Sequence, residues 1–150
     1  MSIELFSASE GHGLVRTTNL SPLKSVFFRC LITLCLVACG NPSPEELAAL
    51  AAKGYYTHLA AGEYEKFLEG RAGAADLPED YREQLLTACK QFMAAQQREH
   101  RGIREVLVGN ARSDSVLHYT SVFLVLCYGD STQEEIVVPM VQHNGRWLMK

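Results

Sequence analysis

The dipeptide Asn144-Gly145 lies between two apolar runs, Glu134–Gln142 and Arg146–Met149. A two-residue type I′ turn needs positive φ at both central residues, and Asn-Gly meets that demand at little steric cost. The two runs are therefore constrained to an antiparallel hairpin. Working back along the chain, Ile103–Val108 and Val116–Tyr128 are also rich in Val, Ile, Leu, Tyr and Phe. Turn residues separate these segments, Gly109-Asn110 after the first and Gly129-Asp130-Ser131 after the second, which predicts about four antiparallel strands. Pro139 inside the third run implies an edge position or a bulge, because proline gives the ladder no N–H.

The preceding hundred residues change period. Ser43 can cap a helix, Pro44 suits its first position, and Glu46 completes a capping box. A helix over Pro44–Ala61 would put Leu47, Leu50, Ala51, Tyr55, His58 and Leu59 roughly on one side, with Gly62 as its stop. A short helix over Glu63–Leu68 would end at Gly70, and Gly70–Ala75 would be a loop. Pro78 opens a third helix in which Tyr81, Leu85, Cys89 and Phe92 recur at helical spacing. Cys89 is thereby expected on a core face, as a small hydrophobe. Helices first and strands after is an α+β order, with one face of the sheet packed on the long helices. In a chain of 150 residues this is one domain, 44–150, with room for a modest core.

Residues 1–38 do not belong to that pattern. Lys24 and Arg29 precede a nine-residue apolar run, Cys30–Ala38, with Thr33 its only polar member. A membrane span needs about twenty apolar residues, so the run is too short to cross. Its length and basic flank fit a secretory signal. The run ends in Leu36-Val37-Ala38-Cys39, which resembles the lipobox of bacterial lipoproteins. The resemblance implies that Cys39 receives a diacylglyceryl group. Leu36, Val37 and Ala38 would form the signal-peptidase recognition site, and the mature chain would begin at Cys39. Gly40–Ser43 then reads as a tether. Cys39 stands further from Met1 than a signal of the usual 15–30 residues allows; a start downstream, near Leu23 or Val26, or a long basic region would each account for it. The expected partner is a lipid bilayer, reached through acylated Cys39. The expected location is the cell envelope, the outer membrane ahead of the inner.

Charge excludes one class of function. Lys and Arg number 14 against 17 Asp and Glu, for a net charge of −3. No basic stripe is present to track phosphates, so nucleic acid is not expected. Arg98, Arg101 and Arg104 alternate with Glu99 and Glu105 and read as a solvated helix end. No CxxC occurs and the five histidines are scattered, so neither a metal site nor a cofactor is expected. Cys89 and Cys127 are predicted to be free, largely buried thiols.

"YYTHLAAGEYEKFLEG" followed by a Pro-started helix, and strands ending in "EEIVVPMVQHNGRWLMK", resemble small lipoproteins of unknown function common in Bacteroidetes. Their domain belongs to the nuclear-transport-factor-2-like, or cystatin-like, superfamily. The resemblance covers about Pro44–Lys150 and implies helices on a curved sheet of about four strands, with Trp147 as an anchor. Some superfamily members are enzymes that work in the cone between helix and sheet, with an acidic or His base there. Tyr55, His58, Tyr81 and His118 are the pocket candidates here, His58 one turn after Tyr55. No carboxylate falls clearly on an inward strand position, and no catalytic residue is assigned. Cystatin-type inhibition lacks its motif, since Glu105–Gly109 has no Gln and carries Leu107 where the central Val would stand. The expected function is a non-catalytic binding or structural module of the envelope, taking a small apolar ligand or an envelope protein. A cone-pocket isomerase or hydrolase is the alternative, and a deep pocket lined by a buried polar pair would favour it.

Overall fold

A computed structural model describes residues 41–150. Leu36, Val37, Ala38 and Cys39 lie outside the described residues. Helix α1 spans Pro44–Ala60, and its capping box is formed on both sides. Ser43 Oγ accepts the Glu46 N–H at 3.2 Å, and Glu46 Oε2 accepts the Ser43 N–H at 2.7 Å. Gly62, at φ +79°, turns the chain out of the helix. Helix α2 covers Tyr64–Glu69, a 3₁₀ turn covers Ala74–Asp76, and α3 runs from Glu79 to His100. Arg101 and Gly102 then take consecutive left-handed conformations and aim the chain into the sheet.

Strands β1 (Ile103–Asp114), β2 (Tyr119–Tyr128), β3 (Gln133–His143) and β4 (Arg146–Met149) form one antiparallel sheet in sequence order. Asn144 and Gly145 have φ +49° and +77°, as a type I′ turn requires. Gly109-Asn110, expected to be a turn, is instead a bulge inside β1, where the register on β2 slips between Val108 and Asn110. The chain absorbs one extra residue and continues, because β2 offers a partner on both sides of it. The turn comes later, at Ser115–His118. Asp114 Oδ1 accepts the N–H groups of Val116 and Leu117, both at 2.9 Å, and His118 takes φ +53°. Val116 to His118, read as strand, are therefore loop. Pro139 sits where β3 becomes an edge: β4 pairs with Met140–His143 only, and the Pro139 carbonyl accepts the Lys150 N–H at 2.9 Å.

The core lies between α1 and the inward face of the sheet. Strand β2 supplies Thr120, Val122, Leu124, Leu126 and Tyr128, every second residue and each at most 6 % exposed. Helix α1 meets them with Ala48, Ala49 and Ala52. The expected apolar side of α1 is thus displaced: Leu47 and Leu50 are 41 % and 62 % exposed. The small residues take the contact because they let the helix backbone approach the sheet. Trp147 packs against this core half-buried, and the Tyr55 hydroxyl donates to its carbonyl at 2.9 Å. The outer edge of β4 is covered by the chain between α2 and the 3₁₀ turn. Met149 donates to the Gly70 carbonyl and accepts from the Ala72 N–H, both at 2.7 Å. Gly70 is required there, since a Cβ would stand 2.3 Å from the Tyr55 ring.

Helix α3 departs most from expectation. None of its residues is buried, and Cys89 is half-exposed rather than enclosed. Its ends are pinned: Arg82 pairs with Glu65 of α2, and the His100 carbonyl accepts the Asp130 N–H at 3.1 Å. Between these ends, Leu85, Ala88, Cys89 and Phe92 border an open space that Tyr56 and Leu59 of α1 face from the other side.

Full burial should dominate the stability. Leu124→Ala, at a site with no exposed surface, should cost about 2–5 kcal/mol. Val137→Ala, at a site 54 % exposed, should change stability by less than about 0.5 kcal/mol. Urea unfolding of the two variants beside the wild type measures both.

Candidate functional site

The space under α3 is a cavity of about 530 Å³, open to solvent on one side. Tyr56 and Leu59 of α1, Phe67 and Leu68 of α2, Leu85 and Phe92 of α3, and Val138 and Met149 of the sheet form most of its wall. Tyr56 and Phe67 meet edge to face, with centroids 5.5 Å apart, which fixes both rings. Arg71 and Lys150 stand among the lining residues, and Cys89 supplies a thiol. Among the described residues, no histidine, aspartate or glutamate lines it. Its size suits a small organic molecule.

Burial pushes the Tyr56 phenol up from its ordinary value, with nearby Cys89 adding to the rise. Burial likewise pushes the Cys89 thiol up. Both groups are thus held in their neutral forms. A nucleophilic cysteine needs the opposite, a thiolate favoured by a cation, a helix N-terminus or a histidine. The Lys150 ammonium stands 5.4 Å from the centroid of the Tyr119 ring, as a cation–π contact.

The four pocket candidates read from the sequence do not converge. Tyr55 is part of the core and spends its hydroxyl on the Trp147 carbonyl. His58 pairs with Glu63 at 2.5 Å at the end of α1, with more than a third of its side chain exposed. Lys66 and His58 together hold the Glu63 carboxyl below its ordinary range, Lys66 with the larger effect. Tyr81 is 42 % exposed at the start of α3. His118 lies in the β1–β2 turn. None of the four lines the cavity. A shared helical face places Tyr55 and His58 as neighbours, but α1 rotates so that Tyr56 faces the space. Cys89 and Cys127 are both free and half-exposed. Cys89 borders the cavity, while Cys127 alternates onto the outward face of β2.

One cluster that the sequence reading missed joins α3 to the β2–β3 turn. His100 Nδ1 lies 2.9 Å from Asp130 Oδ2, and the Thr132 hydroxyl donates to Asp130 Oδ1 at 2.6 Å. The Tyr128 ring packs on the imidazole at 4.8 Å, and its hydroxyl donates to Glu134 at 2.6 Å. Bonds from the Thr132 hydroxyl and N–H, then from His100, hold the Asp130 carboxyl well below the usual carboxylate range. Burial and the bond to Glu134 push the Tyr128 phenol up. A His–Asp pair can act as a base, but the hydroxyl beside this one, that of Thr132, is spent on Asp130. It ties the end of α3 to the sheet, with the Gly129 N–H also on the Gly102 carbonyl at 2.9 Å. The sequence signal was local only, an Asp with a Thr two residues on; His100 is thirty residues away.

No protein-family model and no curated protein matches this chain. Among solved structures the chain is similar to one from Campylobacter jejuni, provisionally named an NTF2-like transpeptidase. The two are 10 % identical with a TM-score of 0.53, over 65 % of this chain and 92 % of the other. At that identity the likeness establishes the fold alone. The fold is α+β and nuclear-transport-factor-2-like, with helices followed by a four-stranded antiparallel sheet.

The clamp has a definite pH signature. Asp130 is depressed in the folded chain, so its stabilisation is complete above the unfolded carboxylate value of about 3.9 and is lost as the pH falls below it. In acid titrations followed by circular dichroism, Asp130→Asn should be less stable than wild type at neutral pH, and the two should converge as acid protonates Asp130.

Proposed function

We propose that this nuclear-transport-factor-2-like body is the non-catalytic binding module of a lipid-anchored protein of the cell envelope. Its ligand is a small apolar molecule held under α3. The observation that carries the binding half is the composition of the cavity wall. Apolar and aromatic side chains make up most of the lining, with Arg71 and Lys150 its two cationic residues, and the Tyr56 phenol and Cys89 thiol are both pushed toward neutrality. Such a wall rewards burial of apolar surface, at roughly 25 cal/mol per Å², and offers no acid–base pair. The cone-pocket enzyme is the weaker reading for the same reason. A transpeptidase, the activity in the neighbour's name, would need an activated nucleophile, and a thiol serves as one only when ionised. Cys89 is the cavity's thiol, and burial acts against ionisation.

Support for the anchoring half is the run Leu36-Val37-Ala38-Cys39 behind Lys24, Arg29 and the apolar segment. One acyl chain holds a protein only marginally at a bilayer, whereas two hold it stably. A diacylglyceryl cysteine meets that requirement without a spanning helix. Among the described residues no helix is long and apolar enough to cross a membrane.

The two halves are tested separately. With an alkyne fatty acid fed to a bacterial host, wild-type protein should take up label and fractionate with membranes. Cys39→Ser should lose the label and keep a higher, unprocessed mass; a labelled and processed Cys39→Ser protein would sink the anchoring reading. For the cavity, titration with 1-anilinonaphthalene-8-sulfonate should show saturable enhancement. Ala88→Trp, which places an indole at the lip of the cavity, should weaken that binding about tenfold or more, a loss of about 1.4 kcal/mol. Unchanged binding would remove the cavity as the ligand site.

A further inference from the structure

One end of the body carries apolar side chains that the fold does not cover. In the β1–β2 turn Val116 is 81 % exposed and Leu117 57 %. Their backbone N–H groups are both taken by Asp114 Oδ1, so the tip is a formed turn that presents its side chains outward. The Ser113 hydroxyl donates to Glu45 Oε1 at 2.6 Å and meets Thr120 Oγ1 at 3.1 Å. These bonds join the base of the hairpin to the first turn of α1. Leu47 and Leu50, in the first two turns of that helix, are the other exposed leucines at this end. Single exposed apolar residues need no explanation, but four gathered at one end do.

Both signs of charge stand at the same end. Strands β1 and β3 both run toward it, so Arg112, two residues before Asp114, and Arg146, just after the Asn144-Gly145 turn, lie at that end of the sheet. Both are exposed, and among the described residues neither is in an ion pair. Glu45, Glu46 and Asp114 keep their charge there, since their hydrogen bonds come from the Ser113 hydroxyl, the Ser43 N–H and the turn. Exposed arginines beside an apolar tip match the headgroup–acyl boundary of a bilayer, where acyl chains lie under phosphates.

We infer that the β1–β2 hairpin tip is a second membrane contact. Val116 and Leu117 enter the headgroup–acyl boundary, Arg112 and Arg146 face lipid phosphates, and the body is held in one orientation. The inference rests on the anchoring at Cys39 proposed above. Only Gly40–Ser43 lie between that cysteine and α1, a reach of at most about 18 Å when fully extended. An anchor that short keeps the α1 end at the membrane, and the α1 end is where the tip stands.

The test uses the full chain, expressed in a lipidating bacterial host and purified in its mature form. Mass spectrometry first reports the diacylglyceryl group. The protein is then placed in phosphatidylethanolamine–phosphatidylglycerol vesicles with or without acyl-brominated lipid. Trp147 is the one native tryptophan, so the signal of an added tryptophan is read against wild type. Val116→Trp should lose at least half of its added emission to bromine. Glu135→Trp, exposed near the start of β3 at the opposite end, should lose little. A lipidated protein with equal quenching at the two positions, or none at either, overturns the tip contact and leaves the anchor standing. A protein without the lipid mass overturns the anchor, and the tip contact with it. Emission from Val116→Trp that is already blue-shifted without vesicles, in a concentration-dependent way, overturns it in favour of a second copy on the tip.

Discussion

The rest of the body depends on how closely α1 lies on the sheet. Ala48, Ala49 and Ala52 face Val122, Leu124 and Leu126 with almost no surface left to water. A helix that meets a sheet through methyl groups comes nearer than one that meets it through leucines. That approach lets the Tyr55 hydroxyl reach the Trp147 carbonyl, presses the Tyr55 ring on Gly70 and pairs the 70–72 segment with Met149. It leaves Tyr56 and Leu59 as the α1 side chains that face the space under α3, where they form one wall of the cavity.

Helix α3 is held by charge and hydrogen bonds at its two ends and by Met93, which packs against the core. The Arg82–Glu65 pair holds its start to α2, and His100, Asp130 and the Gly102 carbonyl hold its end to the β2–β3 turn. Exposed ion pairs contribute little one at a time. They suffice where a helix needs only to be placed. A helix fixed mainly at its ends can admit a ligand beneath it by small side-chain movements, without opening the core between α1 and the sheet.

The polarity of the molecule follows from its connectivity. The start of α1, the β1–β2 turn and the β3–β4 turn fall at one end, and the β2–β3 turn with the end of α3 falls at the other. An acyl anchor a few residues before α1 would face one end to the bilayer. The cavity, whose rim includes Val137, Pro139 and Ala88, opens on the flank between the ends. Membrane contact and ligand binding would therefore use different surfaces.

Much of the fold was legible because its signals are local. The capping box at Ser43, the stop at Gly62, the Pro78 start and the Asn144-Gly145 hairpin each rest on the conformational limits of a few adjacent residues. So does the alternation of β2. The sequence by itself thus determined the α+β order and the four antiparallel strands. Tertiary structure alone decided which side of each helix is buried. Leucine periodicity on α1 pointed to Leu47 and Leu50, yet alanines take the contact, because the gain is set by how near two backbones can come. Only the fold could turn Gly109-Asn110 from a turn into a bulge, since that depends on β2 continuing alongside. The cavity was likewise invisible: periodicity marks an apolar face on α3 around Cys89 but cannot say whether that face meets a wall or a space. That depends on side-chain volumes summed from α1, α2 and β3, segments far apart in the chain.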